Sequence, residues 1–360
     1  MTTAGKERNR NVDCLRGIAI LLVVLGHTVS GSTSNYESTA LFNVIWSLQM
    51  PLFMLISGYV NKYRKCIDSG KSFGRFVLKT TVAYLMPFFV WTFLIRGAIL
   101  RQPGFLNVKY LVWHMDAGYW FLFSLWTLTL FFGFSLFISH FVKSAKKMLG
   151  FLVTGLVFGA LIAVLLVLGR MIGMSFLGIK FTVYYSIFYF AGYTYGSFQE
   201  EIWNRRILKN CVQVFVAVCW VVWVLILARV NTYLLPDGGI QVIWRAGASF
   251  AGCIAICGTV SSIPKENKVC GGLSYCGFHS LEIYLIHSLF LNIIADEVVP
   301  AVSSLAGFLM IVLNYVVTLS SSLLVAYLLN SNMVTRFLTF GKTGSNMAYA
   351  FAPLKEEKDR

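Results

Sequence analysis

The sequence predicts an all-α fold: a polytopic transmembrane helical bundle of about ten spans with both termini cytoplasmic. Three observations predict it. Mean hydropathy is +0.71 and only 12% of residues are charged, about half the fraction of a soluble domain. Apolar runs long enough to cross a bilayer recur along the whole chain; with no water in the hydrocarbon to satisfy backbone groups, such runs must be helical. The basic residues are also unevenly placed. Of 30 Lys and Arg, 23 lie at the start of the chain, in alternate connections between the runs, or after the last run, which is the bias of cytoplasmic segments. The spans fall near 12–30, 41–60, 80–100, 118–139, 148–169, 181–198, 210–230, 240–260, 277–295 and 302–329. A membrane domain over residues 1–335 is expected to be followed by a short cytoplasmic tail, 336–360.

This topology accounts for the charge and the cysteines. A net charge of +15 becomes a property of the membrane surface, and no nucleic-acid-binding motif accompanies it. None of the eight cysteines falls in an outer loop, so reduced thiols are expected. With no Cys-x-x-Cys pair, neither a disulfide nor a metal site is predicted. The first apolar run is too long for a signal h-region, and no small-residue cleavage site follows it.

The first span carries Arg16 and, eleven residues later, His27. Ionisable residues in a bilayer are costly and mark function by default. Eleven residues return a helix to within ~20° of one face, ~16 Å further along, so the two look into one lumen from two depths. A histidine side chain, whose ordinary pKa is near neutrality, suits proton abstraction from a hydroxyl. The second span contains Gln49, Met50 and Pro51, then Ser57, Gly58 and Tyr59. Pro51 frees a carbonyl and kinks the helix, the small pair permits close helix approach, and Gln49 lies near the level of His27.

The connection to the third span holds Lys62, Arg64, Lys65, Lys71, Arg75 and Lys79. It suits anionic lipid, and equally a phosphate-rich cytosolic ligand held by point charges and Arg forks. The outer loop before the fourth span reads Trp113, His114, Met115, Asp116, then Tyr119 and Trp120. Its aromatics fit an interfacial belt or a platform for a sugar ring. The ninth span runs Ser280-Leu281-Glu282-Ile283-Tyr284-Leu285-Ile286-His287. Glu282 is one of few carboxylates within any span; buried, it must be paired or neutral, and Arg16 is the expected partner.

Taken together, Asp13-x-Leu15-Arg16-Gly17 with His27, Met50 through Tyr59, Trp120-Phe121-Leu122, and Ser280 through His287 form four ordered motifs. With them the chain resembles, over nearly its whole length, the acyltransferase-3 family of integral-membrane O-acyltransferases, which includes fucose 4-O-acetylase-like and exopolysaccharide acetyltransferases. Two departures stand out: Gln49 where many members have His, and Arg75 and Lys79 in place of a tighter Arg-x-x-Arg pair.

The resemblance implies transfer of an acetyl group from cytosolic acetyl-CoA, with no metal, to a hydroxyl of a cell-envelope or exported polysaccharide or its lipid-linked precursor, at the inner (plasma) membrane. In that reading His27 is the general base. Arg16, Arg75 and Lys79 hold the donor, and Glu282 orients or pairs with a cation. Gln49, His114, Asp116 and Trp120 contact the acceptor. Direct transfer and a covalent acyl-histidine relay stay open. A sugar or lipid transporter or flippase is the alternative. It explains helices and intramembrane charges but not four ordered motifs.

Overall fold

The computed structural model describes residues 9–37, 39–64, 66–142, 147–202, 206–229, 239–264, 267–294 and 299–342. They fold as α1 (Arg10–Ser32), α2 (Ala40–Tyr59), α3 (Gly70–Phe89), a π-helical continuation (Val90–Ile99), α4 (Val108–Trp113), α5 (Trp120–Phe141), α6 (Lys147–Ile172), α7 (Ile179–Ile202), α8 (Arg206–Arg229), α9 (Gly239–Ser262), α10 (Lys268–Phe278), α11 (Ser280–Ile286), α12 (Leu305–Asn330) and α13 (Met333–Phe340). Seven helices among the described residues are long and apolar enough to cross a membrane: those beginning at Arg10, Ala40, Gly70, Trp120, Lys147, Val242 and Leu305. The protein is a multi-pass, all-α membrane protein.

The chain divides into two compact units. The first comprises residues up to Ile56 and Phe198–Tyr327. At its centre, α1 packs on α9, α10 and α11. Its start is fixed by Asn9, whose Oδ1 accepts from the Asn11 and Val12 amides at 3.1 and 3.4 Å and so satisfies donors the first turn leaves open. The α1–α10 contact is backbone on backbone: a Cβ at Gly17 would overlap the Leu273 carbonyl, and one at Gly277 the Asp13 carbonyl. This close approach corrects the expectation of reduced thiols. Cys14 and Cys270, Cα atoms 5.8 Å apart, are bridged as a disulfide, a separation only such tight packing supplies.

The expected ninth span is also redrawn. It starts earlier, as α10, turns at His279, continues as α11 and one further short turn to Leu289, and is irregular from there to Ile294. The irregular stretch is pinned by side chains. Asn314 on α12 accepts from the Ile294 amide at 3.1 Å and donates to the Ile294 carbonyl at 2.9 Å and to Ser32 at 3.0 Å. Ser32 in turn donates to Asn292 at 3.1 Å. Such side-chain partners are what allow non-helical backbone at membrane depth.

The second unit comprises Ser57–Ser197 and Leu328–Ala350. Here α5 packs on α3, where Phe73 stacks on Phe137, and on α6 and α7 through an aromatic group that includes Phe132, Phe158 and Tyr189. Pro87 withholds an amide from α3, and directly after Phe89 the helix widens to i→i−5 bonding, as in Leu100 N to Ile95 O at 2.9 Å. The first residues of the expected tail, 336–340, belong to α13. In α13, the Thr339 carbonyl accepts from Trp91 Nε1 at 2.8 Å, Phe340 stacks on Trp91, and Arg336 is buried. Residues 343–360 lie outside the described residues.

Candidate active site

The marked residues divide between the units. Arg16, His27, Gln49 and Glu282 are in the first; Arg75, Lys79, His114, Asp116 and Trp120 are in the second.

On α1, the face carrying Arg16 and His27 also carries Ile20 and Val23, by helical spacing. Arg16 is part-exposed and forms an ion pair with buried Asp13, Nη1 to Oδ1 3.8 Å. Ile20 and Val23 are fully buried. His27 is exposed, as is Gly31 one turn beyond it, while neighbouring Gly26 and Thr28 are buried. The face is therefore accessible at two levels and closed between them, rather than open along one continuous lumen.

The structure adds a residue that the sequence reading placed in a motif but gave no role. His287, buried, lies against His27 with ring centroids 5.3 Å apart and planes inclined by 41°. Its Nδ1 lies 3.1 Å from the Ile283 carbonyl and 2.7 Å from the Tyr284 carbonyl. Carbonyls only accept, so Nδ1 carries the proton and the lone pair of the neutral ring sits on Nε2. The short turn that ends α11 thus fixes a tautomer as well as a position.

Gln49 reaches the same turn of α1. A Cβ on Gly26 would stand 2.9 Å from Gln49 Oε1, so the amide oxygen lies against α1 at the residue before His27. Pro51 lies inside α2, which runs on as helix past it. Further along α11, Glu282 is fully buried, with Oε1 3.5 Å from Nδ1 of buried His279. α11 packs against α1, which puts Glu282 and Arg16 on adjoining helices. Arg245, within the expected 240–260 span but given no role from sequence, is buried within α9. Neither motif nor loop composition marks it; the sign was an arginine inside an apolar run.

In the second unit, Arg75 and Lys79 are exposed on α3, one turn apart. His114 is exposed, stacked on Tyr110 at 4.3 Å with planes 11° apart, its Nδ1 3.1 Å from the Tyr110 carbonyl. Asp116 is exposed. Trp120, at the start of α5, is half-buried and stacks on Phe181 at 4.3 Å and Tyr185 at 5.5 Å, so packing occupies part of the ring that sequence reading offered to a sugar. Among the described residues no three His, Cys, Asp or Glu side chains group as metal ligands.

An accessible histidine backed by a second of fixed tautomer, with a buried carboxylate and arginines in the same unit, is equipment for proton transfer beside a reacting carbonyl. No solved structure matches the chain. Nodulation protein NolL of Sinorhizobium fredii (strain NBRC 101917 / NGR234) is 36% identical over 107 residues, 28% of this chain and 27% of NolL; the match thus spans about a quarter of that relative. The decisive comparison covers far more: a family model described as an acyltransferase domain matches residues 9–331, and the chain belongs to this acyltransferase-3 family of membrane acyltransferases.

Proposed function

We propose that this protein is an integral-membrane O-acetyltransferase that moves acetyl from cytosolic acetyl-CoA to a hydroxyl of an envelope or exported polysaccharide, or of its lipid-linked precursor. The single observation that carries the reading is the exposed His27 ring set against His287 of fixed tautomer, within a chain of this family. His27 takes the proton of the acceptor hydroxyl as its oxygen attacks the thioester carbonyl. The C–O bond forms, the C–S bond breaks, and the thiolate of CoA leaves and is protonated. His287 Nε2, its lone pair directed by the two backbone bonds at Nδ1, shares or relays that proton. Arg16 stabilises the developing oxyanion or the donor phosphates at its own level of α1, with Asp13 holding its guanidinium. Glu282 keeps a cationic partner in place. From the sequence, Arg75 and Lys79 are assigned to the donor phosphates, and Gln49, His114, Asp116 and Trp120 to the sugar. Ten crossings with both termini cytoplasmic place the two accessible levels of α1 toward opposite faces of the inner membrane.

The test is composition analysis of surface polysaccharide from cells with wild type, a deletion, and His27→Ala accumulated to equal level in the membrane. One O-acetyl group is expected to vanish in both mutants. Wild-type acetylation in the deletion would overturn the function; wild-type acetylation in His27→Ala alone would overturn the base.

A further inference from the structure

Cys66 lies between α2 and α3 in the second unit and, among the described free cysteines, is the one that is exposed. Its Sγ lies 3.6 Å from Nδ1 of His140, in the last turn of α5, close enough for a thiol to hand its proton to an imidazole. Packing within the unit brings the two together. Phe73, in the first turn of α3, stacks on Phe137 of α5, with centroids 5.0 Å apart and planes inclined by 19°. Phe137 in turn meets Phe141 edge-on at 4.9 Å. The start of α3 is fixed by a capping box: the Ser72 amide donates to Ser69 Oγ at 3.3 Å, and the Ser69 amide to Ser72 Oγ at 3.0 Å. Ile67, next to Cys66, is buried and anchors the connection. Asp68 adds a charge. Hydrogen bonds from Ser72 and Ser69 hold its carboxyl below the usual carboxylate range, and the charge of His140 acts in the same direction. An imidazolium formed at His140 thus has an anion nearby. Exposed Lys71, Arg75 and Lys79 follow on α3, one turn apart, spanning ~12 Å of the helix from first to last. An exposed thiol beside a base, in electropositive surroundings, is of the reactive kind.

We propose that Cys66 is an S-acylation site, loaded from acetyl-CoA with His140 as its base. This rests on the O-acetyltransferase reading, which supplies the donor, and goes beyond it by naming a second acyl acceptor on the protein itself. Phosphates of the donor bound along Lys71, Arg75 and Lys79 leave the pantetheine arm free to reach the start of α3. The thiol proton passes to His140 Nδ1 as Sγ attacks the thioester carbonyl. A new C–S bond forms, the C–S bond to CoA breaks, and the departing CoA thiolate takes the proton back from His140. One thioester replaces another, so the step needs no oxidant or reductant and is nearly balanced in energy. Occupancy of Cys66 therefore follows the ratio of acetyl-CoA to free CoA, and the connection reads out donor supply. A metal is the poorer occupant, because among the described residues no third ligand joins Cys66 and His140.

The experiment incubates the full-length protein in nanodiscs with labelled acetyl-CoA, locates the label by peptide mass spectrometry, and follows acetyl transfer to de-O-acetylated glycan in parallel. Wild type is expected to gain one acetyl on Cys66, removed by neutral hydroxylamine and stripped by excess free CoA. His140→Gln should load at least about tenfold more slowly, with its melting temperature unchanged. A phosphate-free acetyl thioester should load wild type at least about tenfold more slowly than acetyl-CoA does. Glycan transfer without acetylation of Cys66 would overturn the site. Equal loading of wild type and His140→Gln would overturn it as a Cys–His pair. Equal loading by the phosphate-free thioester would overturn it too, as adventitious acetylation of an exposed thiol. Loading of Cys66 without glycan transfer would sink the proposed acceptor and leave the site standing. If wild type neither loads nor transfers, the O-acetyltransferase reading falls and the site with it.

Discussion

Arg16, Arg245, Glu282 and His287 of the first unit lie in helical segments and His279 at the turn between two of them, all buried except the part-exposed Arg16. In the second unit Lys71, Arg75, Lys79, His114 and Asp116 are exposed, and the interior is mainly aromatic, with Arg336 as a buried exception. The contrast separates two uses of polar residues in a membrane protein. Exposed charge attracts a ligand at little cost to the fold. Charge inside a span must be satisfied by a specific neighbour, and its retention marks chemistry. The first unit holds its helices together by backbone contact through Gly17 and Gly277, which fixes geometry tightly; the second uses ring stacking among Phe132, Phe158 and Tyr189.

The comparison breaks first at His27. His27→Ala should lower transfer by roughly 10²- to 10⁴-fold, the usual worth of a general base, with membrane accumulation unchanged; radiolabel transfer at matched protein level measures it. His287→Ala should follow closely, and the double variant should cost little more than the worse single one, because paired groups act as a unit. Next is the backbone contact. Gly277→Ala forces α1 and α10 apart and should cost ~1–3 kcal/mol or more, read as a lower melting temperature in detergent. An equal effect of Gly74→Ala on α3, where a Cβ meets nothing within 4 Å, would erase the contrast between the units. Trp120→Ala loses stacking on Phe181 and Tyr185, worth ~0.5–1.5 kcal/mol per aromatic pair beyond its buried area, and should lower thermal stability and acceptor use together. Smallest is Arg75→Ala with Lys79→Ala. A several-fold rise in KM for acetyl-CoA at low salt should shrink at high salt, since exposed charges are screened.

Much of this was legible from residue order. Long apolar runs identify spans because hydrocarbon leaves the backbone no alternative to a helix, and Arg16 and His27 stood out because such residues are rare there. Three things were not legible. The Cys14–Cys270 bridge depends on two glycines 260 positions apart meeting across helices, a tertiary fact. The turn at His279 and the irregular run to Ile294 are fixed by Asn314 on another helix, so hydropathy alone drew one continuous span. Arg245 fell inside the 240–260 run without a role, because a charge near the edge of an apolar run is ambiguous until its burial is known. His287 was within reach, as the last position of a motif already marked, but its tautomer follows only from the two carbonyls around Nδ1.

The most direct test of the central claim is single-turnover transfer of labelled acetyl from acetyl-CoA to de-O-acetylated envelope glycan by the nanodisc-embedded protein, comparing wild type with His27→Ala. The account predicts rapid labelling of glycan by wild type and essentially none by the variant, with equal CoA binding by both. Equal labelling by both proteins would contradict it.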